Sequence, residues 1–295
     1  MLSIARAAAE AGFDALYATD HLLLPSTNAE LKRRAGADVP DDPDAPLEGY
    51  LECFTVLTAL AVSIPRLRLG TLVACASYRN PGLLAKVAAT LDDVSEGRFV
   101  LGLGAGDSVG EQRTFGFPEP RPVARFEETL AIVQALFGGE SVDVATDLHR
   151  LEGARLIPPV ARPGGPPLLI GTLNPRPRMR RLVARYADVW NGWLAHTDAS
   201  PESAAAQLHA IDETCVEHGR DPATLEATTA VRVVLPGSDY PTRPDERPLQ
   251  GKPVEMAGVL SGHAALGITE VQVALTLGGV EGVRAFAPAI AALRG

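Results

Sequence analysis

Residues 67–106 read LRLGTLVACASYRNPGLLAKVAATLDDVSEGRFVLGLGAG, and this stretch decides the fold. Its first ten residues, 67–76, are rich in Leu, Val and Thr and predict a strand. Leu84, Val87, Leu91 and Val94 then recur at spacings of 3, 4 and 3, the period of a helix with one apolar stripe. Gly97 closes that helix, and FVLGLG (99–104) is a second apolar strand. A strand without polar alternation, a helix and another such strand form the βαβ unit of a parallel sheet covered on both faces.

The same alternation extends outward in both directions. Upstream, residues 3–12 read as a helix ended by Gly12, 15–19 as a strand and 50–64 as a helix. Downstream, Phe126, Leu130, Val133 and Leu136 repeat the helical stripe, and 138–165 is irregular. Strands follow at 167–171, 187–193, 225–235 and 271–277. Helices at 176–186, 201–219 and 252–264 separate them, and Val283, Phe286, Ile290 and Leu293 line a last one. The expectation is an α/β protein, a (β/α)8 TIM barrel, in one domain over residues 1–295. Such a barrel needs about 250 residues. Seven strands are counted rather than eight, because the chain opens directly in a helix. An open barrel edge exposes unpaired backbone groups, so a truncated start with the first strand missing is the expectation. Long connections lie at 22–49, 105–121, 138–165 and 236–251, and the loops that follow barrel strands build active sites. The first, polar and Pro-rich, reads as a lid.

Composition narrows the function. The 295 residues are 46% hydrophobic and 21% charged, so a large core is available. A formal net charge of −9 argues against a nucleic-acid partner, whose phosphates it would repel. Cys53, Cys75 and Cys215 are an odd number without a close pair, which fits a reducing compartment. No apolar run is long enough to span a bilayer, and Arg6, Glu10 and Asp14 interrupt what a signal peptide would need. A cytoplasmic protein acting on a small molecule is expected, with no nucleic acid or membrane partner; a homodimer is compatible with this. The six histidines are scattered, with no zinc-protease pattern and no G-x-S-x-G elbow, so no metal site is expected.

Three strand ends carry candidate chemistry. Thr19-Asp20-His21 sits where a strand runs into the longest loop, and an imidazole there can move a proton near neutral pH. The plainer alternative is that His21 caps the strand. Gly102-Leu103-Gly104-Ala105-Gly106-Asp107 resembles half of a dinucleotide fingerprint, but the third glycine and its helix do not follow. Glycines at a strand end let a flat ring approach the backbone. Asp107 would then face the barrel mouth, with Glu111 one turn on; the alternative is a solvated loop carboxylate. Gly171-Thr172-Leu173-Asn174-Pro175 joins a strand to a helix, with Asn174 as N-cap and Pro175 at the first helical position. Free amides there, with Arg176, Arg178, Arg180 and Arg181, suit a phosphate; an ordinary capped helix with a solvated basic face is the alternative.

Together these pieces resemble the luciferase-like monooxygenase family, the flavin- and deazaflavin-dependent (β/α)8 barrels. The resemblance rests on AGFDALYATDH (11–21), the 67–106 stretch, FGFP (115–118), PPLLIG (166–171) and ARYADVWN (184–191), and covers most of residues 1–195. It implies that His21 and Asp107 are catalytic and that Asp20 contacts the ring system. It further implies a non-prolyl cis peptide at Leu72-Val73 behind the ring, with Cys75 beside it. Ala105 and Gly106 would lie along the ring, and Gly171, Thr172, Leu173 and Asn174 would hold the phosphate. Coenzyme F420 is the implied cofactor, since a carboxylate stands at 107 where many flavin-using members carry Trp; FMN is the alternative. The leading expectation is hydride transfer between F420 and a small organic substrate. An FMN-dependent monooxygenase is the second reading, and a non-catalytic flavin-binding barrel the third.

Overall fold

A computed structural model describes residues 1–25, 47–173 and 176–295. The segment read as a lid therefore lies largely outside the described residues. Helix α1 (Leu2–Ala11) ends at Gly12, whose φ of 89° lets its amide and that of Phe13 turn back on the helix carbonyls. It leads into strand β1 (Ala15–Ala18). Two short strands, β2 (Leu23–Pro25) and β3 (Leu47–Gly49), pair antiparallel above the end of β1. Helix α2 (Cys53–Ser63) starts on the Glu52 side chain, which accepts from the amides of Phe54 and Thr55.

The stretch 67–76 was expected as one strand. It is two, β4 (Arg68–Thr71) and β5 (Ala74–Cys75), parted at a cis Leu72–Val73 peptide bond. Between the pairs Gly70↔Val100 and Ala74↔Leu103 this side carries one residue more than its partner strand, so the interruption is a bulge. Thr71 bridges it: its hydroxyl accepts from the Gly102 amide at 2.9 Å and donates to the Gly102 carbonyl at 2.7 Å. Helix α3 (Pro81–Val94), with Asn80 as N-cap, follows, and then β6 (Phe99–Gly104).

The connection after β6 holds a short helix, α4 (Val109–Phe115), before α5 (Pro122–Phe137). The irregular 138–165 region contains an antiparallel hairpin of β7 (Val142–Ala145) and β8 (Arg150–Ala154), whose half-exposed strands give too weak an apolar pattern to read. Strand β9 (Leu168–Thr172), helix α6 (Pro177–Tyr186), β10 (Val189–Trp193) and α7 (Pro201–Glu217) then alternate. The series closes with β11 (Glu226–Val233), α8 (Pro253–Ala265), β12 (Glu270–Leu275) and α9 (Gly279–Arg294).

All strands of the main sheet pair parallel, in the order β1-β4-β6-β9-β10-β11-β12, with β5 on β6. The sheet curls into a TIM barrel that is not quite closed: among the described residues no ladder joins β1 to β12. Residues 236–251 contribute only an isolated bridge, Val233↔Leu249, at the β11 side and one between Asp198 and Arg247. A cavity of about 690 Å³ lies along the seam, with Tyr17, Leu72 and Gln272 on its strand side and Ala8 and Phe286 on its helix side. Tyr17 faces Glu270 and Gln272 of β12 there, and burial pushes its hydroxyl pKa up.

Most of the apolar core lies between sheet and helices, where Leu57, Leu84, Leu91, Phe99 and Phe126 are fully buried. A second cluster fills the barrel itself: Val100, Leu169 and Val189, with Tyr17, Leu72 and Val73 packed on them. The bulge sends Val73 into this interior, which requires bare neighbours. A Cβ at Gly104 would lie 2.6 Å, and one at Gly171 2.9 Å, from a Val73 methyl.

Gly102 is the tightest of these positions, since a Cβ there would stand 1.9 Å from the Thr71 carbonyl oxygen. Gly102→Ala is expected to cost more than about 2 kcal/mol of stability, because a backbone atom rather than a side-chain tip must move. Gly110→Ala on α4, where nothing lies within 4 Å, is the comparison and should be neutral or slightly stabilising. Urea unfolding of both variants measures the difference.

Candidate functional site

Barrel strands point alternate side chains inward, and their C-terminal ends open on one mouth. At the end of β1, Asp20 is 4% exposed, and its carboxylate is fully engaged. Arg79 grips it with two nitrogens, at 2.6 and 2.9 Å, and the Cys75 amide donates to it at 2.9 Å. The Cys53 thiol completes the set at 3.2 Å. Asp20, expected to touch the ring system, instead ties three elements together and has no oxygen left free for a ring. Asp20, Glu52 and Cys53 bring metal-ligand atoms within 4.8 Å of one another, but the cation among them is Arg79, which also binds Glu52 at 2.6 Å. Its guanidinium lies 4.8 Å from the centre of the Phe54 ring.

The next residue, His21, is 28% exposed in its side chain and gives Nδ1 to Glu111 at 2.7 Å. The other Glu111 oxygen accepts from the amides of Leu22 at 2.6 Å and Leu23 at 2.9 Å, and Tyr78 donates its hydroxyl at 3.3 Å. Glu111 is buried, and burial alone would raise its carboxyl. The hydrogen bonds from His21, Leu23 and Leu22 outweigh that and hold it below the usual carboxylate range. An ionised partner on Nδ1 keeps the proton there and leaves Nε2 as the nitrogen able to accept or release one.

The sequence reading passed over this role for Glu111. Ser108-Val109-Gly110-Glu111 has the spacing of a capping box, in which the glutamate would turn back to its own helix start. Ser108 does cap α4, yet the glutamate reaches away to the end of β1. The usable signal was a buried acid beside an N-cap that needs no second partner.

Cys75 sits behind the mouth, its thiol pushed up to about 11 mainly by burial, so it stays protonated at neutral pH. Gly106 has φ of 89°, and a Cβ there would strike the Cys75 sulfur at 2.6 Å. Ala105 is half-buried, and Asp107 is exposed on the loop leading into α4. Leu72 and Val73 lie in the barrel under the mouth, joined by the expected cis peptide. At the far strand end, Gly171 is half-buried, and the Thr172 side chain is buried and taken, accepting from Trp190 Nε1 at 2.9 Å. Only its backbone is left to meet a phosphate. Leu173 is exposed, and Asn174 lies outside the described residues. Helix α6 starts at Pro177 with Arg176 as N-cap, two residues later than the expected cap and with no side-chain bond to it. Of the nearby arginines, Arg178 is paired with Glu127 at 2.7 Å.

A parallel barrel with a bulge under its mouth and a histidine–carboxylate pair on the rim has the layout of a barrel enzyme, its site at the C-terminal ends of the strands. The model of the luciferase-like monooxygenases matches residues 1–291, and the chain belongs to that family. It is 34% identical over 238 residues to a phthiodiolone/phenolphthiodiolone dimycocerosates ketoreductase of Mycobacterium tuberculosis, covering 78% of this chain and 59% of that protein. The chain thus spans under two thirds of the length of that relative. Among solved structures, an F420-dependent secondary alcohol dehydrogenase in complex with an F420-acetone adduct superposes with a TM-score of 0.78. It is 19% identical, over 100% of this chain and 94% of that one. A monooxygenase from Streptomyces bottropensis superposes with a TM-score of 0.74 at 18% identity, over 100% and 92%. These likenesses extend the agreement in fold. No described helix is long and apolar enough to cross a membrane.

The sign of the pH dependence follows from Glu111 and Glu52. The Glu52 carboxyl, which burial alone would raise, is likewise held down by bonds from Thr55 and Arg79. A carboxyl lowered in the folded state stabilises it above its unfolded pKa, here 4.5, and loses that contribution as pH falls through the lower folded value. Stability should therefore drop on acidification below about pH 4.5. Glu111→Gln should show a shallower acid limb when urea midpoints are compared between pH 7 and pH 3.

Proposed function

We propose that this barrel is an oxidoreductase that transfers a hydride between coenzyme F420 and a small organic substrate. The observation that carries this reading is the His21–Glu111 pair at the C-terminal end of a barrel whose bulge packs Val73 against bare Gly104 and Gly171. A larger residue at either glycine would displace Val73, on which a flat ring would rest in this reading. The cofactor would supply the hydride equivalent, and the chain's own residues would do the rest.

In this reading Leu72 and Val73 back the ring, and Ala105, Gly106 and Cys75 flank it. The backbone at Gly171 and Thr172, with Leu173 and Asn174, takes the phosphate. His21 moves the proton that accompanies the hydride, through Nε2, while Glu111 holds the imidazole in the required tautomer. Asp107 assists from the loop after β6, exposed enough to exchange protons with solvent. Asp20 serves the site indirectly by clamping Arg79 and the end of β5. The apolar interior beneath keeps water from the reacting face.

F420 is favoured over FMN by the residue at 107, a carboxylate rather than a bulky aromatic, and by Arg176 and Arg180 near the phosphate turn. The monooxygenase reading is kept as the second because flavin-family monooxygenases share the fold. F420 should bind more tightly than FMN, with the gap narrowing as salt screens its anionic tail. Equal or tighter FMN binding at low salt overturns the assignment. His21→Ala should lower kcat by about 100-fold while changing the cofactor Kd little. An unchanged rate returns His21 to a strand cap.

A further inference from the structure

The described arginines around the mouth differ in one respect. Arg79 is saturated by two carboxylates, Asp20 and Glu52. Arg232, on β11, has none among the described residues. Strand alternation sets its direction: Thr228 bonds Asn191, and Asn191 bonds Gln272, inside the barrel. Ala230 lines the cavity at the seam, and Thr229 turns the other way to His263 on α8. Arg232 is next in the inward row and stands at the C-terminal end, where the mouth opens.

Its surroundings are aromatic and cationic. The guanidinium lies 4.9 Å from the centre of the Tyr240 ring, and one of its terminal nitrogens is 3.4 Å from His196 Nδ1. Trp193, also pointing inward from β10, packs its ring 5.7 Å from that of His196. Among the described residues the nearby acids are taken by others. Glu246 accepts from the Tyr240 hydroxyl at 2.8 Å and faces Arg243, while Asp198 faces Arg247. Arg232 Nε and Trp193 Nε1 are both buried and have no acceptor. Buried donors and a charge without a counter-ion are costly, and arginine donors in a planar fork match carboxylate and phosphate geometry.

We infer that Arg232, set between His196 and Tyr240, anchors a carboxylate or phosphate group carried by the substrate. This rests on the oxidoreductase reading for the word substrate, but the anion site itself does not. The phosphate turn proposed for the cofactor follows β9, and two strand spacings, roughly 10 Å, separate β9 from β11, so the two anion positions are distinct. In a chain of net charge −9, an arginine inside the mouth with no carboxylate partner among the described residues also selects against substrates that lack an anionic group.

The test uses the whole chain without cofactor and reads tryptophan emission, since Trp193 adjoins the site and Trp190 is fully buried. Inorganic phosphate and succinate are titrated at constant ionic strength, with chloride as the filler. A saturable change is expected, absent in Trp193→Phe and weakened about tenfold or more in Arg232→Gln. Should Arg232→Gln fail to fold, Arg232→Lys keeps the charge, loses the planar fork, and should still weaken binding about threefold or more. F420 is titrated separately into wild type and Arg232→Gln, and its affinity should be unchanged. No saturable response, or one indifferent to Arg232, overturns the inference. Loss of F420 affinity in Arg232→Gln equal to the loss of anion affinity gives the anion to the cofactor and overturns it too. Failure of F420 to bind either protein would sink the cofactor reading and leave the anion titration to decide this one.

Discussion

The arrangement at the mouth depends on one buried carboxylate. Asp20 takes both arms of Arg79, the amide that ends β5 and the thiol that begins α2. Those partners come from three places in the chain, and each is fixed relative to the end of β1 by the same two oxygens. Removing one partner from such a set leaves a charge without its counter-ion in a dry place, which is far more costly than the pair is stabilising. The bulge at Leu72–Val73 is held from both sides, by Thr71 on Gly102 before it and by Asp20 on Cys75 after it. Val73 is delivered into the barrel as a result, and the glycines of β6 and β9 exist to receive it.

A second carboxylate, that of Glu111, acts by the same means on His21, the residue that follows Asp20. Glu111 spends one oxygen on two amides and the other on His21 and Tyr78. The amides fix its position, so the imidazole inherits an orientation it could not hold alone at the edge of a loop. Asp20 and Glu111 thus divide the work, the first shaping the backbone and the second aiming a side chain.

Much of this was legible in the residues. The apolar runs and the helical stripes of 84–94 and 126–136 gave elements that match the observed ones to within a few positions, because buried period and burial are the same physical fact. The family resemblance anticipated the cis bond at 72–73. What escaped were effects of distance. Nothing local to Asp20 announces Arg79, which lies 59 positions away, and nothing local to Glu111 announces His21, 90 positions away. Thr172 reads as a polar residue in a phosphate turn until Trp190 claims its hydroxyl. The hairpin at 142–154 was invisible because strands half-exposed on a surface carry little apolar pattern. Arg232 was read only as part of a strand, since the sign of its surroundings is known only once the acids around it are seen to be taken.

The seam between β1 and β12 bears on the mechanics of the ring. In a closed barrel, strand number and stagger fix the radius, and no strand can shift without breaking ladders on both sides. Here the circumference has an end. Every residue of β1 and of β12 is only half-buried, whereas β6 is buried throughout. The two edges are joined across the gap by side chains rather than by backbone: Ala7 and Ala8 of α1 pack on Val283 of α9, and Arg294 bonds Asp14. What holds the circumference at the seam is therefore the fit of α1 on α9, a clasp of packed methyl groups in place of a ladder of hydrogen bonds.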